Sequence, residues 1–149
     1  MKFDIYYNEN VEVYSRGDLI LTAKIKGGLV YRMEYYYKDK LILKTRVIYF
    51  GIFRKAKIVY QDLIHPIKGF KQSGSLEFIM DVNSNRIRST QNVFKREFFQ
   101  IFLNDLKVAY VINPKGIRFG SYAYTLYSEV DDEDLNLYFI LILLIQIIH

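Results

Sequence analysis

Five cations with the spacing of a binding surface fall in one stretch of the chain: Arg32, Lys44, Arg46, Lys55 and Lys57. The run KLILKTRVIYFGIFRKAKIVYQ reads as two strands joined by a tight turn at or beside Gly51. Side chains alternate between faces along a strand, so Lys44 and Arg46 share a face with Lys55 and Lys57. A two-residue turn at Phe50-Gly51 sets Arg46 opposite Lys55 and Lys44 opposite Lys57. Like charges that face each other across strands destabilise a sheet unless an anion or a carboxylate offsets them. Glu34 is the candidate carboxylate. A three-residue turn Lys38-Asp39-Lys40 puts Tyr37 opposite Leu41, Glu34 opposite Lys44 and Arg32 beside Arg46. The chemistry open to such a face is the binding of anionic groups such as phospholipid headgroups. The competing reading is a solvated face kept polar by strand alternation, its lysines guarding against aggregation, and composition alone favours that one. Arg86, Arg88, Lys95 and Arg96 form a second cluster open to the same two readings.

Other chemistry finds little support. His65 precedes Pro66 in a loop and has no neighbour that completes a triad. The acids Asp131-Asp132-Glu133-Asp134 lack the spaced ligands and glycine of a calcium loop and suit a helix N-terminus instead. No phosphate-binding glycine loop, zinc helix or nucleophile elbow is present. No nucleophile, base and orienting residue assemble from the inventory, so the expectation is a non-enzymatic protein without metal or cofactor. No RNA-binding run accompanies the tyrosines, and no nucleic-acid partner is expected.

The elements that position these residues follow from composition and period. The 149 residues suit one domain, 1–149, long enough to bury roughly 70% of the surface of the unfolded chain. Hydrophobic content of 51% against 25% charge is globular. Aromatic content of 17%, all Tyr and Phe, favours strands. Cysteine is absent, which excludes disulfides and thiolate chemistry and fits a reducing compartment. The opening MKFDIYYNEN holds no apolar core of signal-peptide length, which predicts a cytoplasmic location, peripheral at a membrane if the basic face is used. The net charge of +5 permits an anionic partner.

From residue 2 to 128 the dominant period is two, broken by short turns. KFDIYY, VEVYS, DLILTAKI, LVYRMEYYYK and the two strands around Gly51 come first. DLIHPIKGFKQSG, residues 62–74, reads as the one clear loop because of Pro66, Gly69 and Gly74. SLEFIMD, NRIRST, FKREFFQIFL, DLKVAYVI, GIRFG and SYAYTLYS follow, with turns at Asn83-Ser84-Asn85 and Asn113-Pro114-Lys115-Gly116. About twelve antiparallel strands without an amphipathic helix between them predict a sandwich or barrel.

The last segment decides between those two. Residues 135 to 148 are apolar except for Asn136 and Gln146. As a helix they span about 21 Å, short of the roughly 30 Å of a bilayer core. As a strand they are too long. The preceding acids complement a helix N-terminus, which predicts a helix over 132–148. A helix apolar all round must be surrounded on every side, which a closed barrel does and one sheet face does not. The expected architecture is a closed antiparallel β-barrel of about twelve strands enclosing its own hydrophobic C-terminal helix.

KVAYVINPKGIRFGSYAYTLYS, followed by acids and a wholly apolar terminal helix, resembles the tubby C-terminal-like superfamily. That superfamily includes the tubby domain, phospholipid scramblases and LURP-one-related proteins. The resemblance covers the whole chain as a pattern and is sharpest over residues 104 to 148. There SYAYTLYSEVDDEDLNLYFILILLI is similar to the last strand and central helix of the LURP-one-related group. The chain is shorter than typical members, and no residue motif carries a known ligand site onto it. The resemblance implies a barrel that meets anionic membrane surfaces. A scaffold acting through an edge strand or as a homo-oligomer is the alternative.

Overall fold

A twelve-stranded antiparallel sheet wraps around one terminal helix. The computed structural model describes residues 1–27, 30–50, 53–73, 76–112 and 122–148. In chain order the strands are β1 Lys2–Tyr7, β2 Val11–Ser15, β3 Asp18–Lys26, β4 Tyr31–Tyr37, β5 Lys40–Phe50 and β6 Phe53–Gln61. They continue as β7 Ile67–Ser73, β8 Glu77–Val82, β9 Asn85–Gln91, β10 Glu97–Leu103, β11 Leu106–Ile112 and β12 Tyr122–Ser128, and α1 Glu133–Ile148 closes the chain. Each strand pairs with its sequence neighbours except across the β6–β7 connection, and β12 returns to pair with β1, Lys2 lying opposite Tyr127 and Ile5 opposite Tyr124. The ladder therefore starts at β6, passes through β1 and β12, and ends at β7. The result is a nearly closed barrel, open at one seam between β6 and β7.

Period-two alternation decides which residues face inward. Met33 and Tyr35 on β4, Phe78 and Met80 on β8, and Phe99 and Ile101 on β10 are buried, while their sequence neighbours are more exposed. These side chains meet α1, which is buried on every side: no residue from Tyr138 to Gln146 is more than 3% exposed. The acids before it do what their position requires. Asp132 Oδ1 accepts a hydrogen bond from the Leu135 N–H at 2.9 Å, the N-cap geometry that satisfies one of the free donors of the first turn.

The polar residues of the helix fix its depth in the barrel. Asn136 Nδ2 donates to the carbonyls of Val130 and Asp132, both at 2.8 Å, at one end. Gln146 accepts from Ser89 Oγ on β9 and donates to the Leu76 carbonyl at 2.9 Å at the other. Between them Tyr138 reaches the loop after β6, donating to the His65 carbonyl at 2.6 Å and accepting from its N–H at 3.1 Å.

One expectation about these elements needs correction. Residues 62–74 are not one loop, since Ile67–Ser73 forms β7 against β8. Pro66 ends the turn and Lys68 sits in a bulge between the Ile67–Val82 and Gly69–Asp81 pairs. Gly69 belongs there because a Cβ at that position would lie 3.1 Å from Asp81 Oδ2. The expected barrel of about twelve antiparallel strands around its own terminal helix is present, nearly closed, with its seam between β6 and β7. The Asn113-Pro114-Lys115-Gly116 turn and GIRFG fall outside the described residues.

If the barrel forms around α1, the helix cannot be removed without losing the fold. Each of the eight apolar residues from Tyr138 to Ile145 contributes about 1.5–3 kcal/mol through burial, against a total stability of roughly 5–15 kcal/mol. Deletion of residues 135–149 and the single change Leu141→Asp are both expected to abolish the cooperative thermal transition followed by circular dichroism. A soluble, cooperatively melting barrel after the deletion would show that the helix is not the core.

Candidate anion-binding site

The register of β3 to β6 assembles the cations into a row. Lys26 on β3 pairs with Arg32 on β4, Arg32 with Arg46 on β5, and Arg46 with Lys57 on β6. Four positive side chains thus stand side by side across four strands, on the outer face. The adjacent row runs Lys24, Glu34, Lys44 and Tyr60. Arg32, Arg46, Lys55 and Lys57 are exposed and form no ion pair among the described residues.

Two turns set this arrangement, and both differ from the sequence expectation. The β4–β5 hairpin turns on two residues, Lys38 and Asp39, whose φ values of 47° and 66° match the twist of the flanking strands. Tyr37 therefore pairs with Lys40, not Leu41. An extra residue in β5, Ile42, lies between the Tyr36–Leu41 and Tyr35–Leu43 pairs and restores the expected partners, Glu34 with Lys44 and Arg32 with Arg46. In the next hairpin β5 runs to Phe50 and β6 begins at Phe53, so the connection is Gly51-Ile52 and not Phe50-Gly51. That moves the register by two residues: Arg46 meets Lys57, and Lys55 meets Ile48. A shift of two keeps every side chain on its face. Val59 is then the extra residue in β6, which brings Tyr60 opposite Lys44. Gly51 and Ile52 themselves lie outside the described residues.

Glu34 is the hub of the neutralised part. Its carboxylate lies 3.0 Å from Lys26 Nζ and 3.3 Å from Lys44 Nζ, and accepts from the Tyr36 hydroxyl at 2.9 Å. The Lys26 bond first, then that of Tyr36, with a lesser share from Lys44, hold its pKa down at about 2 although burial opposes them. Lys24 completes the cluster by lying over the Tyr36 ring at 5.0 Å. A shallow groove of about 280 Å³ runs between Arg32, Glu34, Lys44, Arg46 and Val59, floored by Met33 and Thr45. Thr45 is buried, with its hydroxyl 3.3 Å from that of Tyr35. Such a groove offers guanidinium and ammonium donors from several directions, the chemistry that holds a phosphate or a carboxylate. Glu34, ionised down to strongly acid pH, is no proton donor at neutral pH.

The remaining candidates separate. Arg86 is paired with Asp81 at 2.8 Å, and Arg88 approaches Asp105 at 3.8 Å while covering the Phe102 ring at 4.2 Å. Both therefore serve the sheet surface. Lys95 and Arg96 lie in the β9–β10 loop beside Val93 and Phe94, which are 50% and 96% exposed. His65 acts through its backbone, held by Tyr138. No group of acids or histidines among the described residues is arranged to hold a metal ion. Lys26, paired with Arg32, is the residue that sequence reasoning missed. A scan of family models, a search of curated proteins and a search of solved structures each find no match to the chain.

The depressed pKa of Glu34 has a pH signature. A carboxylate whose pKa is lowered by folding contributes stability that is full above its ordinary range and is lost as pH falls towards about 2. Denaturant melts should show Glu34→Gln less stable than the parent at pH 6, the gap narrowing from pH 5 downward and closing near pH 2. A gap that is constant across that window would contradict the assigned hub.

Proposed function

We propose that the protein is a non-enzymatic barrel that binds anionic phospholipid headgroups at a membrane surface through Arg32, Lys44, Arg46, Lys55 and Lys57, with Lys26 added. The observation that carries this reading is the row Lys26–Arg32–Arg46–Lys57. Directly opposed like charges cost stability. Glu34 offsets only the Lys26 end of that row and the neighbouring Lys44, leaving three consecutive cations facing solvent. A face built for solubility alone needs no such alignment, since interspersed signs serve solubility better. The β9–β10 loop adds an exposed Val93-Phe94 pair next to Lys95-Arg96, apolar and basic groups together. The resemblance of the chain to the tubby C-terminal-like superfamily supports the same reading. No helix among the described residues is long and apolar enough to cross a membrane.

The test is co-sedimentation with vesicles of phosphatidylcholine alone, with added phosphatidylserine, and with added phosphoinositide. Binding is expected only with the anionic vesicles, and to weaken with salt. At about 1 kcal/mol for each cation near the surface, Arg32→Ala with Arg46→Ala should weaken it by roughly tenfold or more. Equal and negligible binding to all three vesicles would remove the lipid reading.

A further inference from the structure

The seam between β6 and β7 is a second place where the molecule is incomplete. The two strands end the ladder, so no backbone pairing joins them among the described residues. At its narrow end one side chain spans the gap. Gln61 accepts from the Ile67 N–H at 2.8 Å and donates to the Ile67 carbonyl at 3.1 Å. That primary amide makes to Ile67 on β7 the two bonds that a neighbouring strand would make, and so closes the β7 edge at that point. Beyond Gln61 the seam widens into an open groove of about 480 Å³ between Lys55, Ala56, Lys57 and Ile58 on one side and Lys68 and Phe70 on the other.

We propose that this groove takes up an extended segment of a partner protein as an added strand on β6, with acidic residues alternating with apolar ones. Backbone bonds along an open edge supply affinity, and alternate side chains supply specificity. On β6, Lys55 and Lys57 point outward, while Ala56 is buried and Ile58 packs against the core. A strand laid beside it puts its own alternate residues next to those two sets. Carboxylates then meet Lys55 and Lys57, with Lys68 across the gap, and apolar side chains enter above the small Ala56. The same lysines reject a second copy of β6, because self-pairing places ammonium groups against one another. Since β6 and β7 run antiparallel, one added strand is antiparallel to one edge and parallel to the other. It therefore seats on β6, because Gln61 already occupies the edge of β7 at Ile67.

The probe is a fluorescein-labelled peptide of alternating Glu and Val, titrated with the full chain and followed by fluorescence anisotropy. Peptides of alternating Lys and Val, and of the Glu-Val pattern with proline at the central position, serve as comparisons. Saturable binding is expected for the first peptide only, because reversed charge repels and proline removes a ladder donor. Lys55→Glu with Lys68→Glu should weaken it by roughly tenfold or more without changing the thermal melt. Lys55 and Lys57 serve both readings, but the vesicle assay and the peptide assay are read separately, and Arg32→Ala with Arg46→Ala, which weakens vesicle binding, should leave the peptide bound. Absence of saturable binding, equal binding of the proline peptide, or indifference to the double substitution would each overturn the proposal. So would a dimer in light scattering that the peptide dissociates, since the groove would then belong to a second copy.

Discussion

The burial of α1 on all sides is the constraint from which the rest of the structure follows. A helix with apolar residues around its whole circumference has no solvent face, so its neighbours must form a ring. Twelve strands enclose a lumen too wide for their own side chains to fill, and the helix fills it. Barrel and helix are thus each incomplete alone. The few polar groups on the helix are spent on position: Asn136 holds the lead-in segment at Val130 and Asp132, Gln146 ties the other end to Leu76 and Ser89, and Tyr138 ties the flank to the backbone at His65.

Because the helix fills the lumen apart from a cavity of about 60 Å³ beside Phe3, Asn136 and Ile140 at one end, recognition falls mainly to the outside. The described grooves are shallow features of the wall and its seam, and both the groove at Glu34 and the groove at the seam involve β6 or its neighbours. This sector holds the cation row, the residues that neutralise part of it, and the two unpaired strand edges. The edges follow from the fold itself. The connection from β6 to β7 turns back without pairing, and Gln61 secures only its root.

Much of this was legible from residue types and spacing. The period-two runs located eleven of the described strands, and the length, polarity and acidic lead-in of the tail pointed to an enclosed helix. The opposition of Arg32 to Arg46 and of Glu34 to Lys44 also followed, although the turn assumed for it was one residue too long. The Ile42 bulge absorbed that error. Registers downstream of Gly51 were not legible, because a glycine marks a turn without saying which two residues form it. The strand β7 was hidden because Pro66 and Gly69 are ordinarily loop residues. Here one ends a turn and the other leaves room for Asp81 beside a bulge. Lys26 was missed because its partner lies across a connection whose length sequence alone leaves open.

The enclosed helix is best tested by native-state hydrogen exchange. A helix held inside the barrel can expose its amides only when the barrel opens. The amides of Phe139 to Ile145 should therefore exchange with the free energy of global unfolding, together with those of β1 and β12 where the sheet is joined. Exchange of the helix at a markedly lower free energy than those strands would mean that it leaves while the barrel persists, and would contradict its role as the core.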